Sequence, residues 1–203
     1  MRDAFKEADS KYNGTQHNTQ TLLNHILMQN KTSDILGILA LTSSQKNSLM
    51  WSHYCNKHKG YVLGFDDSHA FFQGKPETSK YLCRLLPVEY SKERVELGLK
   101  MDEGDAFKTF LHKSMDWQYE EECRMLMPFK FCTEVAPSVH VIVYPIEALK
   151  EVIFGFRCDR KTVEQIRECL KGEDVRYYRA VPSSISYGME IESEEAYLTY
   201  LDD

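Results

Sequence analysis

Short apolar runs rich in β-branched residues, none longer than a single strand, set the first constraint on this chain. DILGILALT (34–42), YVLGF (61–65), VHVIVY (139–144), KEVIFGF (150–156), DVRYYRAV (174–181) and ISYGMEI (185–191) each read as a strand bounded by polar or turn-forming residues. CRLLPVEY (83–90) is strand-like too, but Pro87 has no N–H to give a ladder and confines it to an edge or a bulge. Between these runs lie segments of helical period. Leu22, Leu23, Ile26 and Leu27 predict a helix over 19–31. SLMWSHYCNKHKG (48–60) predicts another, capped by Asn47 or Ser48, stopped by Gly60, with Met50, Trp51, Tyr54 and Cys55 inward. A third over 105–115 turns Phe107, Phe110 and Leu111 inward. A fourth over 159–170 presents Val163, Ile166 and Leu170 and is stopped by Gly172, and a short acidic helix closes the chain. About six or seven strands interleaved irregularly with three or four helices imply one α+β domain over 1–203, with a mixed, mostly antiparallel twisted sheet.

The 203 residues are 42% hydrophobic and 28% charged, the balance of a globular chain. A net charge of −6 argues against broad neutralisation of duplex nucleic acid. No apolar run reaches the ~18 residues of a membrane span, and MRDAFKEADSK has no signal-like apolar region, so a cytoplasmic protein is expected. Six dispersed cysteines lack C-x-x-C or zinc-ligand spacing; reduced core thiols are expected, and no metal. Neither G-x-G-x-x-G nor G-x-x-x-x-G-K-[ST] occurs.

The densest chemistry lies in MDWQYEEECRML (115–126). Read as a strand over 117–127, it alternates faces, placing Trp117, Tyr119, Glu121 and Cys123 on one side and Gln118, Glu120, Glu122 and Arg124 on the other. Two carboxylates on one face repel and resist burial unless a cation such as Arg124 compensates. Three uses remain open. The face is a solvated ion pair, or the carboxylates accept ribose hydroxyls and stabilise an oxocarbenium-like centre, or they hold a divalent metal; the last lacks a third acid nearby. WSHY (51–54) is no catalytic dyad, because adjacent helical side chains point about 100° apart.

LMWSHYCNKHKGYVLGFD (49–66) and the K-x-x-x-W-x-Y-E-x-E-x-R of Lys113 to Arg124 resemble the bacterial domain-of-unknown-function family 2971, as do VEYS (88–91) and KEVIFGF. The resemblance spans about residues 33–195. That family opens with an Arg-bearing strand and an Asn-Asp-Pro-Phe segment; here only Asp3 and Phe5 echo the latter, which implies a shortened or inactive form or a misplaced start. More remotely, an aromatic helix after a strand and a late E-x-E are similar to the ADP-ribosyltransferase fold. That likeness implies Glu122 as the acid on the nicotinamide ribose, Glu120 as its partner, and Trp51, Ser52, His53, Tyr54, Tyr119 and Arg124 as the NAD-binding set, with no metal. The function implied is an NAD-using ADP-ribosyltransferase or NAD glycohydrolase of a bacterial toxin or defence type. Its partners would be a small-molecule nucleotide and a protein antitoxin or regulator. The alternatives are a non-catalytic binding or regulatory module and, third, a metal-dependent nuclease.

Overall fold

Strand β9 (Leu149–Gly155) is apolar on both faces, and the covering of those faces organises half of the fold. A computed structural model describes residues 35–95 and 103–195. In it Val152 and Phe154 pack under helix α3 (Arg160–Cys169) with Val163, Ile166 and Leu170, while Ile153 packs with Trp51 of helix α1 (Ser48–Tyr54), Cys55, Ala180 and Met189. A strand covered on both sides has no need of polar alternation, which is why 151–155 reads EVIFG. The sheet around it runs β11 (Met189–Ser193), β10 (Arg176–Pro182), β9, β2 (Tyr61–Phe65). β9 and β10 are parallel and joined through α3; the other two pairs are antiparallel.

A second sheet of order β1-β6-β3 is antiparallel throughout. β1 (Leu36–Thr42) pairs with β6 (Glu122–Pro128) from Leu36↔Pro128 to Thr42↔Glu122. β3 (Leu85–Pro87) lies on the edge, where the missing N–H of Pro87 costs no ladder bond. Met125 and Met127 pack with Phe72, Cys83 and Ala148 to form the core on this side. Two ribbons complete the described chain. β4 (Glu89–Ser91) runs parallel to β5 (His112–Ser114), joined through helix α2 (Glu103–Leu111), and β7 (Thr133–Ala136) pairs antiparallel with β8 (Val139–Val141). The fold is thus α+β, with mixed, mostly antiparallel sheets in one domain. Eleven strands and three α-helices occur among the described residues, more strands than the apolar runs suggest, because four are only three residues long.

Several boundaries differ from those the sequence predicts. The 48–60 helix ends at Tyr54, since Asn56, Lys57 and His58 all take positive φ and turn the chain back; the stop is this left-handed run and not Gly60. Tyr54, expected inward, is 62% exposed. The 105–115 helix gives way at His112 to β5, and its Phe107, Phe110 and Leu111 are half-buried. In the run 185–191 only Met189 onward is strand, and Ile185 and Tyr187 stand fully exposed on a turn. The helix expected over 19–31 and the acidic tail helix fall mostly or wholly outside the described residues. Cys55, Cys83 and Cys158 are buried, Cys123 and Cys132 are half-buried, and Cys169 is exposed; all six are free.

The left-handed run is held by backbone bonds from His58 N to Trp51 O (3.2 Å), Gly60 N to Cys55 O (3.0 Å) and Arg157 N to His58 O (3.1 Å). It presses so closely on β9 that a Cβ at Gly155 would lie 2.1 Å from the His58 carbonyl oxygen. Backbone cannot swing aside as a side chain can. Gly155→Ala is therefore expected to destabilise the protein by at least ~1–3 kcal/mol, read as a lower urea midpoint at unchanged slope.

A carboxylate pair on an inter-sheet cleft

The segment that carries the glutamates is not one strand. Met115–Glu120 forms a 3-10 helix, capped by the Ser114 hydroxyl accepting from Asp116 N, and Glu121 closes it in the left-handed conformation (φ 44°, ψ 49°). Only at Glu122 does β6 begin. The strict face alternation expected over 117–127 therefore fails before Glu122. The turn nevertheless keeps Glu120 beside Glu122, and both carboxylates meet one cation.

That cation is Lys113, from β5. Its ammonium binds Glu120 and lies 3.0 Å from Glu122 Oε2. Arg124, two residues along β6 on the same face, grips Glu122 with both Nε (2.7 Å) and Nη2 (2.9 Å), and donates from Nη1 to the Phe110 carbonyl (2.5 Å). Tyr54, at the end of α1, donates its hydroxyl to Glu120 Oε1 at 2.5 Å. The Tyr90 hydroxyl accepts from Glu122 N (2.8 Å), and the Thr42 hydroxyl donates to Glu120 O (2.6 Å). Glu120 is 3% exposed and Glu122 8%. Carboxylates so withdrawn from water survive only when cations and donors surround them.

The titration shifts follow. Burial pushes the Glu122 carboxyl up, but the hydrogen bonds and charges of Arg124 and Lys113 outweigh it and hold the group below the ordinary glutamate range. For Lys113, burial pulls the ammonium down while Glu120 and Glu122 more than restore it, so its pKa is raised. The Tyr54 phenol is pushed up to about 12 by its bond to Glu120, by burial and by the Glu120 charge.

Both glutamates line a cleft of about 800 Å³, whose walls come from β1 and β6 of one sheet and from β2 and β9 of the other. Apolar side chains such as Val62, Phe65, Phe72 and Leu85 form one part of its surface. Asp67, Glu151, Lys113 and the Thr42–Ser44 segment supply polar groups. This size suits a small organic ligand. Of the residues proposed from sequence, Glu120, Glu122 and Tyr54 lie on the cleft, whereas Arg124 stands behind Glu122 as its ionic support. Trp51 lies in the core with its indole N–H bonded to Gln45 O (2.8 Å). Ser52, His53 and Tyr119 lie off the cleft lining, His53 Nδ1 meeting the Tyr119 hydroxyl at 3.3 Å. The sequence pattern gives Lys113 no role, although it opens the same spaced motif; its position between two acids depends on β4–β5 pairing that spacing alone does not reveal. The ammonium occupies the space between the carboxylates where a divalent ion would sit, and among the described residues no group of three or more His, Cys, Asp or Glu could hold one.

Residues 50–125 match a family model described as protein of unknown function (DUF2971). This covers WSHY, β2, Lys113 and both glutamates, ending one residue beyond Arg124. No curated protein and no solved structure matches the chain. No helix among the described residues is long and apolar enough to cross a membrane.

Lys113→Met removes the shared cation and leaves two buried carboxylates facing each other, for an expected loss of ~3–5 kcal/mol at neutral pH. The loss should shrink as the pH falls and the carboxyls take up protons, which chemical denaturation at pH 7 and pH 4 compares directly. In the wild type the sign is opposite. A depressed Glu122 pKa gives stability that is present above the ordinary glutamate value of 4.5 and lost as pH falls through the lower folded value. At the alkaline end, the stability linked to the Tyr54 phenol is complete below pH 10 and lost between pH 10 and about 12. Difference absorbance of the wild type against Tyr54→Phe should therefore show one phenol ionising near 12.

Proposed function

We propose that this cleft cleaves the nicotinamide–ribose bond of NAD, in the manner of an ADP-ribosyltransferase or NAD glycohydrolase, with Glu122 acting on the ribose and Glu120 as its partner. The observation that carries the reading is the convergence of two buried, ion-paired carboxylates on the wall of a ligand-sized cleft between two sheets. In the reaction the C–N bond breaks and its electron pair leaves with nicotinamide, which departs neutral. Positive charge then develops on the ribose ring, and water or an acceptor side chain adds to C1′ and loses a proton. A carboxylate held ionised, as Glu122 is, stabilises that charge and can accept a ribose hydroxyl. In this reading Glu120, bonded by Lys113 and Tyr54, orients the incoming nucleophile.

The second reading is a non-catalytic binding module, and the closed bonding of the pair favours it: Glu122 is held by Arg124 and Lys113, and Glu120 by Lys113 and Tyr54. The two readings separate on Glu122→Gln. Under the enzymatic reading, wild-type protein releases free nicotinamide from NAD, measured by chromatography, and Glu122→Gln lowers the rate by ~10²-fold or more. The unfolding temperature of the variant must be recorded beside it, since the substitution also removes a partner from Arg124. Wild-type protein that neither binds nor cleaves NAD sinks the enzymatic reading.

A further inference from the structure

A second cavity, of about 360 Å³, lies where the parallel strands β4 and β5 end together at Ser91 and Ser114. Its chemistry is opposite to that of the main cleft. Lys92, Arg94, His112 and Lys113 all line it, against one carboxylate, Glu93. Among the described residues Lys92 and Arg94 have no ion-pair partner. His112 Nδ1 lies 2.8 Å from the Lys108 carbonyl oxygen and its Nε2 3.1 Å from the Glu89 carboxylate. The cavity also has a donor in waiting. Thr109, on α2, has its hydroxyl oxygen buried with no hydrogen-bond partner among the described residues. A buried hydroxyl without a partner is unfavourable, so a ligand that bonds it recovers free energy on binding. Lys92 and Arg94, with Lys113 at the border and hydroxyl donors beside them, form in this small polar cavity a recognition set for a phosphoryl group.

Lys113 lines both cavities. The main cleft carries four acids, Asp67, Glu120, Glu122 and Glu151, and its one lysine is engaged with two of them. Such walls suit a sugar or a cationic ring and repel a diphosphate; the neighbouring cavity has the reverse preference. We propose that the β4–β5 cavity is a phosphate subsite, holding the phosphoryl groups of a nucleotide whose ribose lies against Glu120 and Glu122 in the main cleft. The division of labour between the two cavities rests on the reading given under Proposed function; the phosphate subsite itself stands on the second cavity alone.

Calorimetric titration of the full chain with inorganic pyrophosphate tests the subsite directly. Binding should weaken at least tenfold in Arg94→Ala and measurably in Thr109→Val, both outside the carboxylate network. Wild-type protein that binds no pyrophosphate, or binding unchanged in both variants, overturns the subsite. A second measurement ties the two cavities together. Arg94→Ala should raise KM for NAD and leave KM for nicotinamide riboside, which has no phosphate, where it was; an unchanged KM for NAD overturns the proposal. Pyrophosphate binding that depends on Arg94, in a protein that does not cleave NAD, would retain the subsite and sink the enzymatic reading alone.

Discussion

The ammonium of Lys113 between the carboxylates of Glu120 and Glu122 is the contact on which the arrangement of the site depends. Two carboxylates this withdrawn from water would repel each other and draw protons, and one side would turn outward. With the lysine between them both are held in place, and the segments that supply the three residues are pinned together: β5 with Lys113, the 3-10 turn with Glu120, and β6 with Glu122. Arg124 completes the balance behind Glu122. The cost of desolvating these groups is the reason such a cluster contributes little net stability while its disruption is expensive. What it supplies is a fixed geometry, two anions held at a set position on the edge of a cleft.

The route from chain to site runs through two helical turns with different jobs. α1 packs Trp51 onto the core of the four-stranded sheet, and with that face fixed it presents Tyr54 outward to Glu120. The 3-10 turn at 115–120 lays the chain beneath α1, where Asn47 Nδ2 donates to Tyr119 O at 3.1 Å. Glu121, in the left-handed region, then throws the chain into β6 in register with β1, and Ser43 N bonds to its carbonyl at 3.1 Å. The local sequence MDWQYEEEC thus encodes a turn that keeps Glu120 and Glu122 beside each other around one cation.

Much of the architecture is legible in the sequence because burial on two sides writes itself as unbroken apolar runs. YVLGF, KEVIFGF and RYYRAV, with the α3 pattern of Val163, Ile166 and Leu170, correspond closely to the four-stranded sheet and its covering helix. What is not legible follows from backbone choices that residue type does not dictate. Asn56 and His58 belong to the non-glycine types that visit the left-handed region, but residue type does not announce three such residues in succession with Lys57 among them. The same holds for Glu121. The E-x-E pair stands out in the sequence by its charge, but its neutralising lysine does not, because β5 and β4 meet as a three-residue parallel pair too short to leave a periodic trace. Trp51 illustrates the converse: a conspicuous aromatic beside polar neighbours belongs to the core, while the plainer Tyr54 reaches the cleft.

The position of α1 has a mechanical corollary. At its N-terminal end Asn47 holds the backbone of Tyr119, at its C-terminal end Tyr54 holds Glu120, and its underside is seated on the opposite sheet through Trp51. The helix is thus a clasp across the mouth between the two sheets, fastened at both tips to the same two-residue stretch. A ligand that draws the Glu120 carboxylate away from the Tyr54 hydroxyl would leave the helix fastened to this stretch at its Asn47 tip alone.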